Sequence, residues 1–367
     1  MVKVSSLVAA SIGIAYTAAA PADLVERAGC TFTDAASAIS GKTGCTTITL
    51  NGIAVPAGTT LDLTGLQAGT SVIFQGTTTF GHKQWEGPLI SISGTNIKVS
   101  GASGHVIDGN GAAWWDGEGS NSKTNIKPKF FYAHNLKGKS SIKGLHVKNT
   151  PVQGFSIDGS SGLTLDSITI DNSAGASLGH NTDGFDIGDS SDITISNSHV
   201  TNQDDCLAVN SGTNIKFIGN TCIGGHGISI GSVGGRSNNV VNGVTVQNCN
   251  IQDSENGVRI KTVSGATGSV TQVTYDGIVL SNIAKYGLVI QQDYENGKPT
   301  GTPTAGVPIT HLTLHNITGT VESTGFNKYI LCASGACSSW TTSLINIHGG
   351  KTSTACTGIP SGSGITC

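Results

Sequence analysis

An all-β parallel β-helix forming a single domain is the architecture this sequence predicts, and three observations carry the prediction. Gly accounts for 52 of 367 residues, charged residues for 12%, and Met occurs once. With Ser, Thr, Asn, Ile and Val crowding the middle of the chain, this mixture favours strands and tight turns over helices. Next, an apolar residue, any residue and then Asn recurs at the end of strand-like runs, at Asn149, Asn172, Asn197, Asn220, Asn248, Asn282 and Asn316, with separations of 23, 25, 23, 28, 34 and 34 residues. Finally, the runs before each Asn alternate, as in Leu163-Thr164-Leu165-Asp166, so every second side chain faces inward. A unit of this length with several short strands and no helical pattern is a rung, and stacked rungs bury one continuous core. The Asn amide suits a left-handed turn and can bond to the Asn of the next rung. Hairpin turns of a β-sandwich are the competing account.

Taken in order, the chain opens with Lys3 and an apolar stretch running to Ala18-Ala19-Ala20-Pro21. That is the plan of a secretory signal peptide over 1–20, shorter than the ~20 apolar residues of a spanning helix. Residues 21–27, polar and ending at Arg27, read as a pro-segment, which leaves 28–367 as the folded unit. Thr33 to Ser40 holds a capping residue followed by good helix formers, a short helix to close the open end of the coil. Nine cysteines in an exported chain imply disulfides with one thiol left over. Cys30 and Cys45, Cys332 and Cys337, and Cys356 and Cys367 are close in sequence. Cys206 and Cys222 are sixteen apart and would staple neighbouring turns, leaving Cys249 in a strand-like run, buried and inert. The Cys- and Gly-rich tail from Cys332 covers the last rung, and no linker divides the body. A net charge of −3 gives no sign of a nucleic-acid or anionic-membrane partner.

Three polar clusters recur at nearly one rung's spacing: Asn181-Thr182-Asp183-Gly184-Phe185-Asp186, Gln203-Asp204-Asp205-Cys206 and Gly224-Gly225-His226-Gly227-Ile228-Ser229. Asp183 to Asp204 is 21 residues and Asp205 to His226 is 21 again, which places these pairs at equivalent positions on successive rungs, about 4.8 Å apart. Like charges stacked that closely cost stability unless a metal, a proton or a function compensates. Turn-capping aspartates and a calcium-binding β-roll are the plainer accounts, though no nonapeptide period is present. The chemical account divides acid and base roles among the carboxylates at a glycosidic bond, with the pKa of the acid raised by its neighbours. Further on, alternation sends Arg259 and Lys261 to one face with Ile260 inward. Two cations side by side suit an anion such as a sugar carboxylate. Gln291-Gln292-Asp293-Tyr294 then offers Tyr294 as a sugar platform, or as a packed loop residue.

The motifs N-T-D-x-x-D, Q-D-D-C, G-G-H-G-I-S and R-I-K, in that order, resemble the polygalacturonase family of glycoside hydrolases, family 28. Gly109-Asn110-Gly111, Trp114-Trp115-Asp116-Gly117 and Lys127-Pro128-Lys129-Phe130-Phe131 extend the resemblance over nearly the whole mature chain. It implies a right-handed β-helix and endo-acting, inverting hydrolysis of 1,4-α-D-galacturonide linkages in homogalacturonan, with no metal and no cofactor. It makes Asp204 the general acid, has Asp183 and Asp205 position the water, and sets His226 beside the acid to maintain its protonation. Arg259, Lys261, Tyr294, Gln291 and Asp186 form the substrate-binding set. The same resemblance implies the pairs Cys30–Cys45, Cys206–Cys222, Cys332–Cys337 and Cys356–Cys367. It also implies an extracellular monomer whose partners are pectic polysaccharide and the inhibitor proteins of plant cell walls. Asp189 departs from the Asn that relatives use as a sugar contact, and its charge disfavours an acidic sugar there. Asn316-Ile317-Thr318 is a glycosylation sequon at an Asn that also ends a repeat strand.

Competing functions share the fold. Pectate and pectin lyases eliminate, usually with Ca²⁺, and yield an unsaturated product. An exo-acting or rhamnogalacturonan hydrolase would differ in the loops around the cleft, and a non-catalytic carbohydrate-binding β-helix would lack the converging carboxylates. An acid that stays protonated beside ionised partners predicts an acidic optimum.

Overall fold

The computed structural model describes residues 1–3 and 28–367. The expected signal peptide and pro-segment fall on residues 4–27, outside the described residues. The expected helix is present as Ala35–Gly41, where the side chain of Asp34 caps it by accepting the Ser37 N–H at 2.8 Å. Ala35 and Ala38 are its buried residues, laid on the first turn of the coil.

Every strand pairing among the described residues is parallel. Eleven strands, from Leu61–Leu66 to Lys351–Thr352, stack in sequence order as one strip, and a second, 20-stranded sheet wraps the remainder of the coil. Neighbours in the strip belong to successive turns, so each position forms a column down the axis. The inward column runs Phe131, Phe155, Phe185, Leu207, Ile228, Val258 and Leu288. All seven are fully buried, and the rings of Phe131, Phe155 and Phe185 pack in series at 4.9 and 5.5 Å between centroids, the first pair tilted and the second stacked. One apolar column thus buries a residue on every turn, and this repetition holds the solenoid together.

The asparagines behave differently from a single ladder. Register places Asn149, Asn172 and Asn282 at one corner of the coil. Asn197, Asn248 and Asn316 lie at another, and Asn220 sits one residue beyond that second corner. Two interleaved columns explain why the sequence spacing alternated irregularly. Asn149, Asn197, Asn248, Asn282 and Asn316 do take the left-handed conformation, with φ of 53, 52, 54, 55 and 49°. Their partners are not each other: Asn149 donates to Asp108, Asn197 to Asp166 and Asn282 to Asp253, at 3.0, 2.8 and 2.8 Å. Asn172 and Asn220 are buried, and each accepts a backbone N–H, from Thr150 and Ser198, at 2.8 Å. Asn316 is exposed at its turn, so the fold leaves the sequon accessible.

The four disulfides join Cys30–Cys45, Cys206–Cys222, Cys332–Cys337 and Cys356–Cys367. Cys249 is free and buried, and burial pushes its thiol up to about 11, which makes it inert. The tail closes the far end: Trp340 donates its indole N–H to the Ile309 carbonyl at 3.0 Å, Thr342 donates to the Ser363 carbonyl at 2.7 Å, and Ile365 is buried. No helix among the described residues is long and apolar enough to cross a membrane.

Candidate active site

The predicted site residues stand on the outer side of the eleven-stranded strip and in the turns that lead into it. Asp183, Asp205 and His226 each precede by two residues the paired positions Phe185, Leu207 and Ile228. These three form the true column, and the backbone confirms it, since Gly184 N–H bonds to the Asp205 carbonyl at 2.9 Å. The expected equivalence of Asp183 with Asp204 is therefore off by one, because that turn of the coil takes 22 residues between Phe185 and Leu207. Asp204 instead projects from the preceding residue into the same cleft of ≈ 310 Å³, which Asp183, Asp186, Asp205, His226, Arg259, Lys261 and Tyr294 also line.

Both oxygens of Asp204 are engaged. Oδ1 accepts the Asp205 backbone N–H at 2.8 Å and lies 3.0 Å from Nδ1 of His226, while Oδ2 accepts from Asn181 Nδ2 at 3.0 Å. Asp205 takes Ser229 Oγ–H on Oδ1 and Lys261 Nζ on Oδ2, both at 2.7 Å, with Arg259 3.7 Å away. On its far side His226 meets Glu255 at 3.4 Å, and Lys285 closes the chain of alternating charges 3.1 Å from Glu255. Arg259 and Lys261 do share the outer face, with Ile260 fully buried between them. Rather than standing unpaired, they neutralise Asp205 from within the site. Asp204, Asp205 and His226 bring ligand-type atoms within 4.8 Å of one another. Arg259 and Lys261 bring positive charge to the Asp205 side of that cluster.

The electrostatics differ from the simple picture of an acid raised by its neighbours. Burial alone would raise Asp204, but the hydrogen bond and charge of His226, with Lys261 and the Asp205 N–H, outweigh it and hold the carboxyl below the usual range. Burial would lower His226, but Asp204 and Glu255 outweigh it and raise the imidazole above its ordinary value. The raised carboxyls are the two without such donors. Burial, then the charges of Asp186, Asp204 and Asp205, push Asp183 well up, and burial with Asp205 pushes Asp186 up to about 7. Oδ2 of Asp186 is buried without a partner.

Tyr294 packs its ring against both cations, with Lys261 5.2 Å and Arg259 5.8 Å from the ring centre. Gln291, paired in register with Lys261, lines an adjoining hollow with Tyr294, Arg259 and Tyr286. Asp189 lies outside this cleft, in a hydroxyl-rich groove, where it accepts from Asn238 at 2.6 Å. Sequence reasoning gave no role to Ser229, Glu255 or Asn181, although two of them lie inside the quoted motifs. Strand alternation from Ile228 already turned Ser229 toward Asp205, whereas the approach of Glu255 to His226 depends on how one turn stacks on the next.

A β-helix whose outer strip and its leading turns gather carboxylates, imidazole and cations in one cleft is a carbohydrate-cleaving enzyme in plan. The model of glycosyl hydrolases family 28 matches residues 45–367, and the chain belongs to that family. It is similar to a polygalacturonase of Cochliobolus carbonum, 64% identical over 350 residues that cover 95% of each chain. It is also similar to endopolygalacturonase 1 of Colletotrichum lindemuthianum, 61% identical over 369 residues and the full length of both. Among solved structures, endopolygalacturonase I from Stereum purpureum complexed with two galacturonate matches with a TM-score of 0.80 at 40% identity, over 88% of this chain and 95% of that one. The fold is the right-handed parallel β-helix expected from the motifs.

These shifts carry a consequence for stability. Asp183, Asp186 and His226 have folded pKa values above their unfolded ones, so their contribution is fully present below the unfolded value and is lost as pH rises through the folded one. For Asp186 that window runs from 3.8 to about 7. Asp116, lowered to about 2 because the Lys127 ion pair and hydrogen bonds to Glu118 and Asn125 outweigh its burial, works oppositely. Its contribution is present above 3.8 and lost as pH falls through about 2. Thermal stability is therefore expected to peak in mildly acidic solution and decline toward neutrality. Asp186→Asn should flatten that decline in melting curves between pH 4 and 7; an unchanged slope would show that Asp186 titrates normally.

Proposed function

We propose that this chain is a secreted endo-acting glycoside hydrolase that cleaves 1,4-α-D-galacturonide linkages within homogalacturonan, with inversion. The observation that carries the reading is the pairing of adjacent carboxylates with different environments, Asp204 on His226 and Asp205 on Lys261, in one open cleft beside Arg259. Two carboxyls with divergent surroundings are the means by which a glycosidase separates its acid from its base.

In this reading Asp204 gives its proton to the leaving glycosidic oxygen as the bond to the anomeric carbon breaks. A water held by Asp183 and Asp205 attacks that carbon from the opposite side and yields its proton to the Asp205 carboxylate. The free site holds Asp204 ionised, so the acid must be loaded on binding. The incoming galacturonate carboxylates add negative charge and exclude water, both of which raise Asp204 toward protonation, and Nδ1 of His226, whose imidazole is raised toward its protonated form, lies 3.0 Å away. Arg259 and Lys261, edged by Tyr294 and Gln291, meet the sugar carboxylate, and Asp186 borders the cleft on the adjoining turns. The reading further takes residues 1–20 as a signal peptide and 21–27 as a pro-segment removed before Ala28. It takes the mature enzyme as a monomer, Asn316 as its accessible glycosylation site, and plant inhibitor proteins as macromolecular partners beside pectic polysaccharide.

Digestion of polygalacturonate without calcium tests the reaction. The expected result is new reducing ends, mixed oligomers early in the course and no ultraviolet-absorbing product. Absorbance from a double bond would make the enzyme a lyase, release of monomer alone an exo-hydrolase, and absence of cleavage a binding protein or an enzyme for another glycan.

A further inference from the structure

Three motifs recognised in the sequence have no part in the chemistry above: Gly109-Asn110-Gly111, Trp114-Trp115-Asp116-Gly117 and Lys127-Pro128-Lys129. The structure joins the last two in one buried knot. Lys127 Nζ, with a side chain 1% exposed, contacts Asp116 Oδ2 at 2.6 Å and also donates to the carbonyls of Gly119 and Asn125 at 3.0 and 3.1 Å. Asn125 Nδ2 donates to the same Asp116 oxygen and to the Trp114 carbonyl, both at 2.9 Å. The remaining oxygen of Asp116 accepts the Glu118 N–H at 2.9 Å. The segment from Asp116 to Asn125 is thereby fixed at both ends.

What that segment presents is a set of donors aimed at one atom. Ser120 N–H and Ser120 Oγ, both at 3.1 Å, and Asn121 Nδ2, at 3.3 Å, converge on Asn181 Oδ1. Gly119 makes the approach possible: at φ +60° it is left-handed, and a Cβ there would stand 2.5 Å from Asn181 Oδ1 and from the His180 carbonyl oxygen. Three donors on its oxygen leave the Asn181 amide a single orientation, with Nδ2 directed at Asp204 Oδ2, 3.0 Å away. Asn181 itself has φ of 53°, a backbone conformation Asn tolerates well.

We propose that Asn181 is the positioning residue of Asp204, and that the segment Asp116–Asn125, locked by the buried Lys127–Asp116 pair, exists to set its amide. His226 and the Asp205 N–H hold one oxygen of the carboxyl and Asn181 holds the other, so the plane of the acid is fixed from both sides. Misplacing such a group by about 1 Å costs on the order of 10²-fold in rate. The inference rests on the reading of Asp204 as the acid of a hydrolase.

The test is the pH profile of kcat on polygalacturonate for Asn181→Gly and Asn181→Asp. Glycine suits the left-handed backbone, so Asn181→Gly removes the amide without straining the fold. Its kcat should fall by roughly 10–10²-fold with KM changed less than about threefold. Loss of a donor to the carboxylate raises the pKa of the acid, so the limb on which activity falls with rising pH should move to higher pH, further still in Asn181→Asp, where a second negative charge faces Asp204. Ser120→Ala should lower kcat in the wild type and have no further effect in Asn181→Gly, because both act through one amide. A variant that melts lower but keeps its kcat and its pH limb would overturn the proposal, as would additive losses. Failure of the wild type to produce reducing ends would instead overturn the hydrolase reading on which it rests.

Discussion

Asp204→Asn is expected to lower kcat on polygalacturonate by about 10²–10⁴-fold, the range that a positioned general acid contributes, while KM stays within a few-fold. The substitution preserves volume in a residue that is 7% exposed. Its carbonyl can still accept the Asp205 N–H and the His226 proton, the two contacts now made by Oδ1. Only the partner of Asn181 changes, from an acceptor to an opposing amide. The fold should therefore melt within a few degrees of the wild type, and circular dichroism with melting curves checks this before any rate is compared. Because the substitution leaves Arg259, Lys261 and Tyr294, the proposed substrate-binding residues, in place, the loss should appear in the chemical step. The contrast with Asp183→Asn is decisive. Burial and the neighbouring carboxylates push Asp183 toward its protonated form, so a large loss in Asp183→Asn with near-normal turnover in Asp204→Asn would transfer the acid's role to Asp183.

Much of this site was legible because a β-helix writes its geometry into sequence spacing. Once alternation and the repeat located the strands, the clusters around Asp183, Asp204 and His226 had to lie on successive turns. Arg259 and Lys261 had to share a face for the same reason. What spacing could not give was the exact length of each turn: 22 residues on one and 21 on the next move Asp204 out of the column and put Asp205 in it. The asparagines misled in the same way, since two corners of the coil use the same residue for the same left-handed turn. Charge was the least legible property. Sequence shows which carboxylates are neighbours, but a pKa follows from which oxygen receives which donor. Only the coordinates show that His226 and Asn181 reach Asp204, and that no hydrogen-bond partner reaches Oδ2 of Asp186.

Lys261→Met tests how the site tolerates its own charge. Asp205 is 2% exposed and Lys261 meets it at 2.7 Å, with a side chain itself 7% exposed. Removing one member of a buried ion pair strands the other, at a cost of about 3–5 kcal/mol. Ser229 and the more distant Arg259 remain near Asp205, so the lower end of that range is expected. Adding Asp205→Asn to Lys261→Met should restore much of the melting temperature, since neither partner then carries a buried charge, yet activity should stay low. Recovered stability without recovered turnover would show that the pair is kept for the anionic substrate and its chemistry rather than for the fold. If Lys261→Met alone melts like the wild type at pH 6, Arg259 already suffices for Asp205. Lys261 would then be held for the sugar carboxylate only, and its loss should appear as a raised KM on polygalacturonate.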